Sequence, residues 1–159
     1  MRYSQAVVAS FYPGSRGGDG IADVLFGDYN PSGHLSVSIP RHVGALPCYY
    51  NHKHNGAQKD YIDLPSGPLL PFGYGLSYTT FEYQNISLPQ KISIQELKEK
   101  GLTITLDVHN TGQRDGEDVV QIYIKHLQSS IVSRVLELKG FQKVYVPHHA
   151  VPVSYTHLR

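Results

Sequence analysis

The segment from residue 102 to residue 109 alternates strictly between apolar and polar side chains, and no other pattern constrains the fold of this chain as strongly. Successive side chains of a β-strand point to opposite faces, so this alternation predicts a strand with one buried face. The side chains of the apolar face are Leu102, Ile104, Leu106 and Val108. The polar face carries Thr103, Thr105, Asp107 and His109.

Further short strands are predicted around this one, so residues 73–152 are interpreted as an all-β unit. They lie at residues 81–88, with a bulge near Asn85, at residues 118–125, and at residues 136–146, where Gly140 breaks the pattern. Residues 94–100 favour a helix of at most one turn, with Gly101 as its end. Short alternating strands separated by turns are typical of a β-sandwich.

The first 48 residues have the composition of an α/β segment. Residues 6–9 predict a short buried strand, and residues 35–39 alternate as a half-buried strand. Between them, residues 21–26 predict a short helix with Asp19 as its N-cap and Gly27 as its end.

Residues 49–72 have no period and connect the two parts. Pro65, Pro68 and Pro71 exclude a long helix or a central strand there. The tyrosine and leucine content is too apolar for a flexible linker, so an ordered, extended strap is expected.

Composition excludes several classes of function. The net charge is +1 and only 17% of residues are charged, which argues against binding nucleic acid or an acidic membrane through bulk charge. No apolar run approaches the roughly 18 residues of a membrane span, and no signal peptide is expected from the first residues. A single cysteine, Cys48, excludes an intrachain disulfide and a thiolate zinc site, and it is expected to be a small packed residue.

Two features suggest ligands at first sight. Residues 14–18 form a glycine-rich turn before the predicted helix, where a phosphate can bind, but the spacing matches neither common nucleotide-binding motif. A ligand-free turn is therefore favoured. The histidine pairs His52 with His54 and His148 with His149 lack a third ligand nearby, so exposed loop histidines are favoured over a metal centre.

Carboxylates and tyrosines are the remaining candidates. Paired carboxylates can carry glycosidic acid–base chemistry, yet most of those present lie in turns, so structural roles are favoured. They are Asp19, Asp23, Asp28, Asp60, Asp63, Glu117 and Asp118.

Tyrosines can stack on sugars or fill a seam between two units, and the seam is favoured. The clustered ones are Tyr49, Tyr50, Tyr61, Tyr74, Tyr78 and Tyr83. Residues 85–87 match the short glycosylation pattern, which occurs often by chance.

Five motifs, in order, resemble glycoside hydrolase family 3, and most closely its bacterial β-glucosidase and β-xylosidase members. They are residues 12–33 (YPGSRGGDGIADVLFGDYNPSG), 49–53 (YYNHK) with 71–81 (PFGYGLSYTTF), 110–112 (NTG), 119–124 (VVQIYI) and 137–141 (ELKGF). The resemblance covers about residues 5–146. Members of this family have a catalytic barrel, an α/β sandwich domain and often a fibronectin type III-like domain.

This resemblance implies a domain assignment. Residues 1–48 correspond to the strand–helix–strand end of the α/β sandwich domain, and residues 49–72 to the interdomain strap. Residues 73–152 correspond to an incomplete immunoglobulin- or fibronectin III-like β-sandwich. Residues 153–159 match nothing in the family and are expected to be a non-native tail. Residues 133–136 and the turn at residues 147–150 also depart from the family pattern.

The resemblance also implies a deficit. The family nucleophile, an Asp on the barrel, and the acid/base Glu match no position here, so no catalytic, cofactor or metal residue is assigned. The parent protein is expected to be a retaining β-glycosidase acting on β-linked sugars, in the periplasm or outside the cell by resemblance, and the chain alone is expected to be inactive. The alternative is a stand-alone carbohydrate-binding or adhesion module, against which the α/β residues 1–48 argue.

Overall fold

The computed structural model describes residues 4–53, 60 and 62–150, and the backbone of residues 153–158. Within these residues, two helices and five strands follow one another, with a short 3₁₀ turn at Val43–Ala45. The elements are α1 (Gly17–Phe26), β1 (Phe81–Ser87), α2 (Ile94–Lys100), β2 (Leu102–Asn110), β3 (Gly116–Ile124), β4 (Glu137–Val146) and β5 (Val153–Leu158).

The strands form two antiparallel sheets. One has the order β1-β2-β5, and the other pairs β3 with β4. The register of β1 on β2 shifts between Gln84 and Ser87, and Asn85 has a φ of 49°. The bulge predicted near Asn85 is therefore confirmed. In β4 the register shifts beside Gly140, where Lys139 has no partner of its own between Gly140 and Leu138.

The hydrophobic core lies between the two sheets. Its fully or almost fully buried side chains are Leu106 and Val108 from β2, Val120 from β3 and Val146 from β4. Phe81 and Val144 pack against them. Two sheets that face each other across one apolar core make a β-sandwich, so the predicted fold class is confirmed.

A buried amide closes one end of this core. Asn110 accepts a hydrogen bond from Thr79 Oγ1 at 2.6 Å, and its Nδ2 donates to the carbonyls of Arg114 at 2.7 Å and Val146 at 2.9 Å. A buried polar group without partners would be costly, and here both ends of the amide are satisfied. Asn110 thereby joins the start of β1, the β2–β3 turn and the end of β4.

Helix α1 is longer than predicted. It begins at Gly17, with Arg16 at the N-cap position, so the N-cap prediction for Asp19 is wrong. Asp19 lies in the first turn and forms a 2.9 Å ion pair with Arg16. The glycine-rich first turn carries no apolar side chains, so periodicity could not reveal it. The predicted end is confirmed, because Gly27 caps the helix in the left-handed conformation with a φ of 85°.

Helix α2 has seven residues, about two turns, so the prediction of one turn at most is wrong. The Ser93 hydroxyl accepts a hydrogen bond from the Glu96 N–H at 3.1 Å and caps the helix. Two side-chain pairs four residues apart add support, Gln95 with Glu99 and Lys100 with Glu96. Gly101 ends the helix as predicted.

The two strands predicted in residues 1–48 are not formed as regular strands. Residues 6–9 have no ladder partner among the described residues, and Val7 and Val8 are exposed. A strand needs a neighbouring strand to satisfy its backbone, and none lies beside this segment in the described part of the chain. Residues 35–39 make only an isolated bridge, between Ile39 and Leu70.

The strap lies alongside both parts of the chain. The Ile39–Leu70 bridge joins the strap to residues 35–39. Just after the strap, the Leu35 N–H donates to the Tyr74 carbonyl at 2.8 Å and the Gly73 N–H donates to the Leu35 carbonyl at 2.7 Å. A second bridge joins Lys53 to Arg134 near the sandwich. An ordered, extended strap over residues 49–72 stays a prediction, because residues 54–59 and 61 lie outside the described part of the chain. The tail at residues 153–158, for which no structure was predicted, pairs with β2 as β5.

No helix in the described residues is long and apolar enough to span a membrane.

We expect Val108→Ala to lower the free energy of unfolding by about 2 kcal/mol, because it removes two buried methyl groups and leaves a cavity. Val7→Ala is the matched control, since Val7 is 58% exposed and Val108 is fully buried. Urea unfolding of both variants measures the difference, and equal effects would contradict the assignment of the core.

Candidate functional site: the seam between the α/β segment and the sandwich

The segment that follows α1 lies against the sandwich and carries most of the polar contacts between the two parts. We call the seam the set of contacts that residues 24–34 make with residues 73–83 and with residues 114–121 and 143. Three side chains of the segment organise it: Tyr29, Asn30 and His34.

Asn30 joins three separate stretches of chain. Its Nδ2 donates to the Asp115 carbonyl at 2.9 Å, just before β3. Its Oδ1 accepts from Ser77 Oγ and from the Tyr78 N–H, each at 2.8 Å. The amide supplies a donor and an acceptor at the same time, which a carboxylate cannot do when ionised.

A cluster around Glu117 forms the second contact. Glu117 Oε2 accepts from Tyr29 Oη at 2.8 Å and from Ser32 Oγ at 3.3 Å. Lys143 from β4 pairs with the same oxygen at 2.5 Å. The hydrogen bonds from Lys143 and Tyr29 hold the pKa of Glu117 below its usual value, and the bond to Glu117 raises the pKa of Lys143. The cluster therefore stays ionised across the neutral range.

His34 makes the third contact, on the other face of β3. Its Nδ1 lies 2.7 Å from the Gly73 carbonyl oxygen and its Nε2 lies 3.2 Å from Asp118 Oδ1. Tyr83 from β1 donates its hydroxyl to the other oxygen of Asp118. Asp118 is only 9% exposed. Through its bonds to His34 and Tyr83, it connects the segment to both sheets of the sandwich.

Hydrogen bonding sets the ionisation of this group. The bond to Asp118 raises the pKa of His34 above its ordinary 6.5, although burial opposes the shift. Burial alone would raise the pKa of Asp118. The hydrogen bonds from His34 and Tyr83 outweigh the effect of burial and bring this pKa below its ordinary 3.8. Burial and the neighbouring Asp118 raise the pKa of Tyr83, so its hydroxyl stays protonated.

The backbone approaches very closely at Gly75. A Cβ atom there would lie 2.5 Å from the Gly33 carbonyl oxygen and 3.1 Å from the His34 ring. Only glycine permits this approach, which brings the stretch just after the strap against residues 33 and 34.

An aromatic contact fastens the strap to the sandwich. The rings of Tyr50 and Phe72 stack with centroids 4.0 Å apart, and Tyr123 of β3 meets Tyr50 edge-on at 6.2 Å. The Leu138 N–H donates to the Tyr50 hydroxyl at 3.3 Å. Tyr50 thus uses both its ring and its hydroxyl, as expected of a tyrosine between two units.

An open cleft of about 1410 Å³ runs between the segment, the strap and β3. Its walls include Ser38, Tyr49, Tyr50, Phe72, Tyr74 and Asp118. Cys48 also lines it, with partial burial and a free thiol.

Most of the clustered tyrosines lie in or beside the seam. Tyr78 donates its hydroxyl to the Val24 carbonyl of α1 at 2.6 Å, and Tyr50 and Tyr83 make the contacts described above. Tyr49 and Tyr74 line the cleft, and Tyr61 lies outside the described residues.

The described members of the two histidine pairs, His52, His148 and His149, do not belong to a cluster that could hold a metal. His148 contacts Asp115 through Nδ1 at 2.6 Å and meets the His149 ring edge-on, while His52 Nδ1 lies 3.1 Å from the Lys53 carbonyl. His54 lies outside the described residues. Among the residues that the structure describes, no three His, Cys, Asp or Glu side chains are grouped as a metal would require.

The candidate carboxylates are dispersed. Asp19 pairs with Arg16, and Asp60 accepts from the Ser66 N–H at 2.8 Å, which lowers the pKa of Asp60. Glu117 and Asp118 belong to the seam. Asp19 and Asp60 are exposed, and so are Asp23, Asp28 and Asp63. At the glycine-rich turn, Gly17 packs against Pro13, and the Gly17 N–H donates to the Gly14 carbonyl at 3.1 Å. Asn85, in the glycosylation pattern, donates to Asp107 at 2.7 Å.

Sequence reasoning missed Tyr29, Asn30, Ser32, His34 and Lys143 as seam residues. A signal for His34 was present: His34, Ser36 and Ser38 form the polar face of the alternating stretch that begins there. Ser38 Oγ accepts from the Phe72 N–H at 3.1 Å, so this face lies toward the strap.

We expect Asn30→Asp to lower the free energy of unfolding by about 1–3 kcal/mol, because the new carboxylate faces the Asp115 carbonyl without a donor. Asn51→Asp is the matched control, since Asn51 contacts Arg134 through its main-chain carbonyl. Urea unfolding at pH 7 compares the two variants. An Asn30→Asp variant as stable as the control would show that Asn30 does not hold the seam.

Comparison with known proteins gives concordant matches. Residues 2–78 match the sequence model of the glycosyl hydrolase family 3 C-terminal domain. A periplasmic β-glucosidase of Salmonella typhimurium is 42% identical over 151 residues, which are 89% of this chain and 19% of that protein. A putative β-xylosidase of Formosa agariphila is 38% identical over 140 residues, 87% of this chain and 18% of that protein.

Solved structures agree with these relatives. A β-glucosidase from Erythrobacter marinus superposes with a TM-score of 0.84 at 44% identity, covering 94% of this chain and 19% of that one. A β-glucosidase from Listeria innocua in complex with glucose gives 0.84 at 34% identity, covering 94% and 22%. This chain therefore spans about a fifth of the length of the proteins it matches. With the motif order, the family match and the shared fold in agreement, the chain belongs to glycoside hydrolase family 3 and corresponds to a C-terminal part of its β-glucosidase and β-xylosidase members.

Proposed function

We propose that this chain is the C-terminal structural part of a retaining β-glycosidase that removes terminal β-linked sugars from oligosaccharides or glycosides. One observation carries the proposal: over about nine-tenths of its length, the chain matches about a fifth of proteins named β-glucosidase and β-xylosidase. The chemistry belongs to the whole protein.

A retaining glycosidase needs two carboxyl groups about 5–5.5 Å apart on either side of the scissile bond. One forms a covalent glycosyl-enzyme and the other acts first as acid and then as base. Neither is assigned to this chain. Glu117 is bound by Tyr29 and Lys143, and Asp118 by His34 and Tyr83, so both carboxylates are already engaged in the seam.

The role proposed for this chain is that of a brace. The α/β residues 1–48 belong to a domain that borders the catalytic site, and the sandwich, residues 73–152, holds them through Asn30, the Glu117 cluster and His34. The strap, residues 49–72, is fixed to the sandwich at Tyr50, whose ring meets Tyr123 edge-on and whose hydroxyl accepts from the Leu138 N–H. Residues 153–159 are given no role, in keeping with their interpretation as a non-native tail.

The proposed substrates are β-linked glucosides, and the proposed location is the periplasm or the cell exterior. Supporting this are a relative named periplasmic β-glucosidase and a Listeria innocua β-glucosidase, a mutant of which was solved in complex with laminaribiose. We propose no cofactor and no metal for the reaction.

A chimera tests the proposal. The matching C-terminal segment of the Salmonella typhimurium β-glucosidase is replaced by this chain, and hydrolysis of p-nitrophenyl β-glucoside is measured. We expect kcat/KM within about tenfold of the parent enzyme, because a correct brace restores the geometry of its catalytic domains. The chimera carrying Asn30→Asp should lose activity or thermal stability, whereas the one carrying Asn51→Asp should not.

The chain alone is the second arm of the experiment. We expect it neither to hydrolyse the glucoside nor to bind laminaribiose. A folded but inactive chimera would contradict the proposal. Tight binding of laminaribiose by the isolated chain would favour the alternative, a stand-alone carbohydrate-binding module.

A further inference from the structure

His34 lies where three parts of the chain meet. Its ring touches Asp118 of β3 and the Gly73 carbonyl just after the strap, and Asp118 in turn accepts from Tyr83 of β1. The ring is mostly enclosed, with 22% of the side chain exposed, and the Asp118 side chain is 12% exposed. The group joins the segment, the end of the strap at Gly73 and both sheets.

A proton on each ring nitrogen satisfies both oxygens beside the ring. The Gly73 carbonyl oxygen, 2.7 Å from Nδ1, and Asp118 Oδ1, 3.2 Å from Nε2, can only accept a hydrogen bond. A neutral imidazole has a single N–H and would turn a lone pair toward one of these oxygens. The charged ring satisfies both contacts and also forms an ion pair with Asp118.

The groups that face His34 come from β1, from β3 and from the turn at Gly73. Strand β3 contributes Asp118 and the uncharged Gln121, whose Nε2 lies 3.0 Å from His34 Nδ1 and 3.1 Å from the Gly73 carbonyl. Tyr83 acts on His34 indirectly, through its hydrogen bond to Asp118. Tyr123 donates its hydroxyl to Gln121 Oε1. When His34 is neutral, Gln121 can donate to Nδ1, and the direct bond from His34 to Gly73 is lost.

We propose that His34, Asp118, Tyr83 and the Gly73 carbonyl form a proton-operated latch, which holds the segment and strap on the sandwich in mildly acidic solution and loosens as His34 loses its proton. The other seam contacts do not titrate in this range: Asn30 has no charge to lose, and Glu117 and Lys143 keep each other ionised. Loosening is therefore local to residues 33–36 and 69–75. The inference goes beyond the glycosidase proposal, and its test does not depend on activity.

The direction of the pH effect follows from linkage. The pKa of His34 is raised on folding, so its contribution to stability is fully present below 6.5 and is lost as the pH rises through the raised value. The pKa of Asp118 is lowered on folding, so its contribution is present above 3.8 and is lost as the pH falls through the lowered value. The latch is strongest between these two limits.

Hydrogen exchange of the 159-residue chain, followed by mass spectrometry of its peptides between pH 5.5 and 8.5, tests the latch. After correction for intrinsic exchange, we expect protection in peptides covering residues 33–36 and 69–75 to fall with rising pH. The fall should be about tenfold for each unit by which folding raises the His34 pKa. Peptides from β2 should change less.

Two variants separate the latch from a merely structural role. His34→Gln has no charge to lose and should show low protection of residues 33–36 and 69–75 at every pH. Asp118→Asn removes the ion pair and should flatten the pH dependence. If His34→Gln keeps the pH dependence of the unaltered chain, the proposal is wrong.

A measurement on the unaltered chain covers the case in which a variant fails to fold. The NMR titration of the His34 ring should have its midpoint above 6.5, with both ring N–H protons present at pH 6. A midpoint below 6.5, or a single N–H at pH 6, would overturn the proposal. None of these results depends on whether the whole protein is a glycosidase.

Discussion

Strand β3 presents Glu117 on one face and Asp118 on the other, and the two carboxylates receive side chains from the segment that follows α1. Asp118 sits on the same face as the buried Val120, where an isolated charge would be very costly. His34 and Tyr83 satisfy it from two different elements. Breaking either contact would leave a buried carboxylate short of a partner, so the attachment of segment to sandwich depends on this pair.

The size of the core explains why such polar contacts matter. Among the residues that the structure describes, four hydrophobic side chains are buried, while Leu25 and Phe26 of α1 and Tyr12 before it remain exposed. The α/β segment therefore gains little from apolar burial against the sandwich. Its position rests on hydrogen bonds with defined geometry, which fix an orientation more sharply than apolar contact does. That property suits a brace within a larger enzyme.

Local patterns predicted the elements that depend on local physics. The alternation at residues 102–109 gave β2, and Gly27 and Gly101 ended the two helices as expected. The strand at residues 6–9 failed because a strand needs a neighbour, which is a long-range property. Only part of the seam could be predicted from the sequence. Asp118 shares the parity of Val120 and Ile122 in the predicted strand, so an inward carboxylate could have been read from the sequence. Its partners, 84 and 35 residues away in the chain, could not.

The proposed brace on the catalytic part of a β-glycosidase is tested most directly by the DNA sequence on both sides of the coding region. We predict an open reading frame that continues upstream into a barrel domain carrying a nucleophilic Asp, and downstream through further sandwich strands. A genuine start at Met1 with a genuine stop after Arg159 would contradict it, and the function would then have to be sought in binding.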